Sequence, residues 1–202
     1  MCLWSSAKEG AVECGNLIYA GTKTSRCFSD EFLTTVQQKT SIATERRFKA
    51  VKLAEDELFQ LPFVVMTGEG DFTLPSKERE NLKKYLENGG FLVASAGCSN
   101  AEWGKSFERE IKTIFGADCL KPIAMDHEIF RTIFTIKELA LSKSSGRTAL
   151  QGLTLNGKIV LIYSPEGLND SSNAEGCCCC GGNEIGNAKE INANILAYAL
   201  LH

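Results

Sequence analysis

Short apolar runs bounded by glycine, proline, asparagine or serine alternate along this chain with stretches whose apolar residues recur at helical spacing. Residues 16–20 (Asn-Leu-Ile-Tyr-Ala), 61–67 (Leu-Pro-Phe-Val-Val-Met-Thr), 91–94 and 159–163 (Ile-Val-Leu-Ile-Tyr) have the continuous apolar character of strands buried on both faces. Residues 48–53 alternate instead, and 150–155 run into Asn156-Gly157, a dipeptide suited to a tight hairpin. Residues 129–136 read as strand-like, with a partly helical alternative. Helices are expected where Phe32, Leu33 and Val36 follow a Ser29 cap, and where Leu82, Tyr85 and Leu86 follow Pro75-Ser76. Two more are expected, one on Trp103, Phe107, Ile111, Ile114 and Phe115, the other on Ile185, Ala188, Ile191, Ile195, Leu196 and Ala199. Asn88-Gly89-Gly90 and Gly116 are the stops after the second and third of these helices.

Strands alternating with helices imply a mostly parallel sheet covered on both faces, in one domain spanning residues 1–202. Residues 1–15 carry no clear period and form an irregular N-terminal segment. Residues 164–182 also lack an apolar period, and a loop of that length inside a domain is commonly functional. No repeat or linker interrupts the chain. In such sheets ligands bind beyond the carboxyl ends of the strands. That rule places Cys27, Cys98 and the run Cys177-Cys178-Cys179-Cys180 at one edge, because each follows a predicted strand. Cys14 and Cys119 start at the opposite edge.

Four adjacent cysteines offer a core little volume, whereas thiolates are soft ligands and strong nucleophiles. Gly176, Gly181 and Gly182 around the run permit sharp turns and close backbone approach. The following helix would present its N-terminus to the sulfurs, favouring negative charge there. Composition narrows the setting. A net charge of −3 leaves no footprint for nucleic acid, no apolar run is long enough to span a membrane, and residues 1–10 lack the apolar centre of a secretory signal. A cytoplasmic location follows. In that reducing compartment nine cysteines are not expected to form a disulfide framework, which favours metal binding or thiol chemistry.

Several stretches resemble one family. They are Leu61-Pro-Phe-Val-Val-Met-Thr-Gly68, Leu86-Glu-Asn-Gly-Gly-Phe-Leu92, Asp126-His-Glu-Ile-Phe-Arg131, Ile162-Tyr-Ser-Pro165 and Ile191-Asn-Ala-Asn-Ile-Leu-Ala-Tyr198. Together they are similar to a bacterial domain family of unknown function, related to the class I glutamine amidotransferase-like, flavodoxin-like fold. The resemblance spans roughly residues 16–200 and implies an α/β fold, a three-layer αβα sandwich. It supplies no reaction. Members often carry a single cysteine or acidic residue after the last strand, and the cysteine run departs from that pattern.

Gly97-Cys98 at a strand-to-helix turn has the layout of a nucleophile elbow, which makes Cys98 the candidate catalytic residue under an enzymatic alternative. Glutamine hydrolysis also needs a histidine base. Only His127 and His202 exist, and Asp126-His127-Glu128 lacks the late His-x-Glu placement of those enzymes. Gly21-Thr22-Lys23-Thr24 lacks the glycines of a phosphate-binding P-loop, which excludes an ATPase. Lys23 and Arg26 are read either as solvated or as cofactor-binding cations that lower nearby thiol pKa values, with Gly181 and Gly182 giving backbone access. Glu69 and Asp71 leave one strand together and offer an acid–base pair or hard-metal ligands, against the plainer reading of solvated loop carboxylates.

The run is not the Cys-x-x-Cys pair of a zinc ribbon or ferredoxin. The expected ligand set is therefore Cys27, Cys98 and members of Cys177, Cys178, Cys179 and Cys180 around one centre. An iron–sulfur cluster is preferred, with zinc as alternative and copper(I) or arsenic-type thiophiles open on softness. These considerations lead to a cytoplasmic metal–thiolate protein in redox or cofactor-related chemistry. The alternatives are a Cys98-nucleophile enzyme and a non-catalytic interaction module. A protein redox or cofactor partner is expected, without nucleic acid or membrane.

Overall fold

The computed structural model of the chain describes residues 10–174, 177 and 182–202. Among them a seven-stranded sheet forms from β1 (Cys14–Ile18), β2 (Lys49–Lys52), β3 (Phe63–Gly68), β4 (Phe91–Ala96), β5 (Leu120–Pro122), β6 (Gln151–Leu155) and β7 (Lys158–Ser164). The order is β2-β1-β3-β4-β7-β6-β5. Pairings from β2 through β7 are parallel, whereas β6 joins β7 and β5 joins β6 antiparallel. Central β3 and β4 are buried along their whole length, which is why Phe-Val-Val-Met and Phe-Leu-Val-Ala read as unbroken apolar runs. The edge strands end differently: β2 carries Lys49 and Lys52, and β5 carries Lys121 and Pro122, residues that discourage further strand pairing.

Alternate strand residues feed two cores. Phe63, Val65, Phe91, Val93 and Ile162 pack with α1 (Glu31–Lys39) and α4 (Ala188–Leu201). Val64, Met66, Leu92, Ala94 and Tyr163 pack with α2 (Ser76–Glu87) and α3 (Ala101–Phe115). The sheet is thus covered on both faces by helices. In the second layer Trp103 stacks on Phe107 with centroids 5.3 Å apart, and Phe107 meets Tyr163 at 4.8 Å. The Asn100 side chain accepts from the Trp103 N–H at 2.9 Å and so caps α3.

Some expectations need correction. The first strand begins at Cys14, and Tyr19 already belongs to the turn in which it pairs with Lys23. No strand forms over residues 129–136. Ile129 and Phe130 lie in a 3-10 turn, and the Asn194 side chain takes the Ile133 and Phe134 N–H groups at 3.0 and 2.8 Å. An amide that claims the backbone in this way leaves nothing for a neighbouring strand. β5 was not expected, because three residues ending in Lys-Pro carry no period. The last helix starts at Ala188, and Ile185 sits in a bridge with Leu141. The β6–β7 hairpin does turn at Asn156 and Gly157, with φ of 50° and 80°.

Candidate functional site

The carboxyl ends of β3 and β4 change character over their last residues, from apolar to Thr67-Gly68 and Ser95-Ala96. Buried Asn169, from the loop after β7, gathers these ends. Its carbonyl oxygen accepts from Thr67 Oγ1 at 2.8 Å and from Ser95 Oγ at 3.1 Å. Its amide donates to the Ala96 carbonyl at 2.9 Å and to Glu184 Oε1 at 3.0 Å. The Asn169 backbone carbonyl accepts from Ser29 N–H at 2.8 Å, and Ser95 Oγ accepts from Leu168 N–H at 2.7 Å. Glu184 is completed by Ser171 Oγ at 2.7 Å. Every donor and acceptor of the Asn169 amide is used, which a buried amide requires. Sequence reasoning missed this hub. Its members are ordinary residue types far apart in the chain, and the one available signal was an Asn-Asp pair in a loop without apolar period.

The cysteines meet at the same edge. Cys27, in the loop after β1, forms a disulfide with Cys177, with Cα atoms 4.9 Å apart across a sequence separation of 150. Cys98 is disulfide-bonded as well. It sits in the turn between β4 and α3 with φ 50° and ψ 32°, and Ser99 follows with φ 56°. These are left-handed conformations that side chains seldom adopt, and the Ser99 hydroxyl anchors the turn by donating to the Glu166 carbonyl at 2.6 Å. Gly182 lies against this turn. A Cβ there would come within 2.6–2.9 Å of Cys98 backbone atoms, so only glycine fits. The elbow shape expected at Cys98 is therefore present, but its sulfur is bonded and offers no thiolate. Cys14 and Cys119 are free thiols, and burial pushes both pKa values upward, Cys14 to about 12.

These bonds overturn the metal–thiolate reading. Among the described residues no group of three or more histidine, cysteine, aspartate or glutamate side chains could hold a metal ion. Cys27 and Cys177 spend their sulfurs on each other, and a sulfur in a disulfide is not the thiolate ligand that iron or zinc requires. The expectation that the cysteines would avoid disulfides fails with it. Cys178, Cys179, Cys180 and Gly181 lie outside the described residues.

The other expected residues divide. Lys23 reaches the loop after β3, its Nζ donating to the Glu69 carbonyl at 3.3 Å, while Arg26 is exposed. With Cys27 in a disulfide there is no Cys27 thiolate for either cation to stabilise. Asp71 accepts from Ser106 Oγ at 2.5 Å and from Arg109 at 3.2 Å, and these two bonds hold its carboxyl below the usual range. Those bonds make it a structural tie between the loop after β3 and α3. His127 accepts from Ile129 N–H through Nδ1 at 3.2 Å and packs on Tyr198, on the antiparallel side of the molecule. It is not brought to the cysteines.

Beside the disulfide lies a cleft of about 420 Å³. Its walls include Cys177, Gly182, Glu184, Asp170, Ser171 and Lys143. Desolvation raises the Asp170 pKa, against hydrogen bonding from Asn173. Hydroxyls, carboxylates and one lysine share this cleft with Ala174, Cys177 and Ile185, at the carboxyl edge of the sheet, where parallel α/β sheets bind ligands. No helix among the described residues is long and apolar enough to cross a membrane.

With this architecture in view, the chain belongs to the family described as Domain of unknown function (DUF4159), whose model matches residues 16–200. No match is found among the curated proteins.

Proposed function

We propose that this is a thiol–disulfide protein in which the Cys27–Cys177 bond controls a ligand cleft of mixed lining at the carboxyl edge of the sheet. The observation that carries it is the position of the bond. It ties the loop after β1 to the segment before α4 at the lip of the 420 Å³ cleft. Both cysteines are half-buried, so a reductant reaches them without unfolding the sheet. A thiolate of a dithiol attacks one sulfur, forms a mixed disulfide and expels the other sulfur as a thiolate, which takes a proton. The second thiol of the reductant then displaces the first cysteine and leaves as a disulfide. Two electrons and two protons pass from the dithiol to Cys27 and Cys177. The partner is a dithiol oxidoreductase. The cytoplasm suits this reading, since disulfides there are transient and catalytic or sensing.

The reading also takes the chain as one domain of flavodoxin-like architecture, related to the class I glutamine amidotransferase-like fold. The parallel order β2-β1-β3-β4-β7 supports it, because five strands in that sequence define the flavodoxin-like winding. The positive φ at Cys98 agrees with the strand-to-helix elbow of the amidotransferase group.

Differential alkylation with peptide mapping, run beside hydrogen exchange, tests the redox reading. Cys27 and Cys177 should alkylate only after dithiol treatment, and residues 170–174 and 182–186 should exchange faster once reduced. Cys27→Ser should exchange at the faster rate in either buffer. Absence of the Cys27–Cys177 peptide from oxidised protein, or exchange insensitive to reduction, would remove the proposal.

A further inference from the structure

A second cavity lies away from the cysteines, on the loop that leads into β6. It has a volume of about 550 Å³. Lys137 and Arg147 approach it from opposite ends of the loop, and Ser144 and Ser145 lie between them. Neither Lys137 nor Arg147 forms an ion pair among the described residues, and both are exposed at the mouth of the cavity. The donors have free hydrogens. Ser144 Oγ already accepts from Asn183 Nδ2 at 2.8 Å and from Gly146 N–H at 3.4 Å, which leaves its hydroxyl hydrogen to donate elsewhere. Thr148 is not available in this way, because it donates to Glu166 at 2.5 Å. That bond instead fixes the end of the loop beside Arg147. The Asn183 side-chain oxygen accepts from Lys143 N–H at 2.8 Å and holds the backbone just before Ser144. The loop is therefore anchored on both sides of Ser144, Ser145 and Arg147.

We infer that this cavity binds a phosphate or phosphate-ester anion. Lys137 supplies a point charge, and Arg147 supplies a planar fork matched to two phosphate oxygens. The Ser144 and Ser145 hydroxyls add neutral donors. Leu139, Leu141 and Met125 form the apolar wall, which suits an ester with a non-polar group over a free inorganic ion. Glu138 also lines the cavity. Its carboxylate leaves a formal charge of +1 from the Lys137, Arg147 and Glu138 side chains together, so the lining is cationic on balance. The site shares no lining residue with the cleft at Cys177, so the inference does not depend on the redox proposal.

Calorimetric titration of the intact protein with inorganic phosphate and with phenyl phosphate tests it. Both should bind, phenyl phosphate more tightly. Arg147→Gln and Lys137→Gln should each weaken binding about tenfold, the scale of one charge-assisted contact. Lys121→Gln, on the far edge strand, should bind like the wild type. Binding should also survive Cys27→Ser, which separates this site from the disulfide. No binding at millimolar phosphate, or equal binding by Arg147→Gln, Lys137→Gln and the wild type, overturns the inference. Phosphate binding without any preference for phenyl phosphate overturns the assignment of the apolar wall.

Discussion

The two ends of the sheet are built from the same strands and follow opposite rules. At the amino end β3 and β4 offer Phe63-Val64-Val65 and Phe91-Leu92-Val93, and Phe63 stacks on Phe91 at 5.8 Å with an angle of 5°. Cys14 lies there, fully buried, and its thiol packs as a small apolar group. At the carboxyl end the same strands finish in Thr67-Gly68 and Ser95-Ala96, where both hydroxyls bond to the Asn169 carbonyl oxygen. A single residue type shows the contrast. Cysteine at one end of β1 is inert filling, and cysteine beyond the other end is a cross-link. Sheet polarity, more than cysteine count, decides which thiols do chemistry, because the amino end is closed by packing and the carboxyl end is where loops converge.

Removing the cross-link should give the largest effect. In the chain-entropy account a disulfide closing a loop of this length, 150 residues, stabilises by about 5 kcal/mol. Measured against the wild type in the same buffer by urea unfolding, Cys27→Ser should be less stable by about that much under oxidising conditions and equally stable in a reducing buffer, where both proteins also lose the Cys98 disulfide. A loss of the same size in both buffers would mean that the side chain, and not the bond, matters at the carboxyl end. Asn169→Leu comes next. It strands two hydroxyls, the Ala96 carbonyl and Glu184 in the interior, at about 3 kcal/mol by the cost of unsatisfied buried groups. If Asn169→Leu unfolds at the wild-type urea concentration, the polar hub does not hold the strand ends and the contrast between the two ends is one of sulfur alone.

Much of this division was legible in the sequence. The unbroken runs of β3, β4 and β7 follow from burial on both faces, so they stand out in composition. The rule that loops after parallel strands share an edge put Cys27, Cys98 and Cys177 together, and Cys27 and Cys177 do meet. What those sulfurs do on meeting was not legible. A metal centre and a disulfide both need cysteines brought close, and they differ by a few ångströms that spacing does not encode. Asn169 escaped notice for a related reason. Thr67 and Ser95 reach it across 102 and 74 residues, and no local period marks such a hub. The strand-like reading of 129–136 failed because a single side chain, Asn194, takes the backbone groups that a partner strand would use.

The smallest effect expected concerns Cys14 and sharpens the amino-end half of the contrast. Burial, with Glu13 adding a minor repulsion, raises its pKa from 9.0 to about 12. Below pH 9 the thiol is protonated in both folded and unfolded chains and stability is unaffected. As the pH rises from 9 toward 12 the unfolded chain gives up the proton and the folded chain keeps it. The unfolded state then binds fewer protons, so stability falls with rising pH, at a slope approaching about 1.4 kcal/mol per unit. Tyr19, Tyr85 and Tyr163 are also raised by burial, but their unfolded forms begin to titrate only near 10.0. The interval from pH 9 to 10 therefore belongs to thiols, and Cys119 contributes equally to the wild type and to Cys14→Ala. The stability difference between these two proteins should narrow over that interval, in urea titrations at pH 8, 9 and 10. A constant difference would show that Cys14 ionises as readily folded as unfolded, which a thiol sealed in the amino-end core does not do.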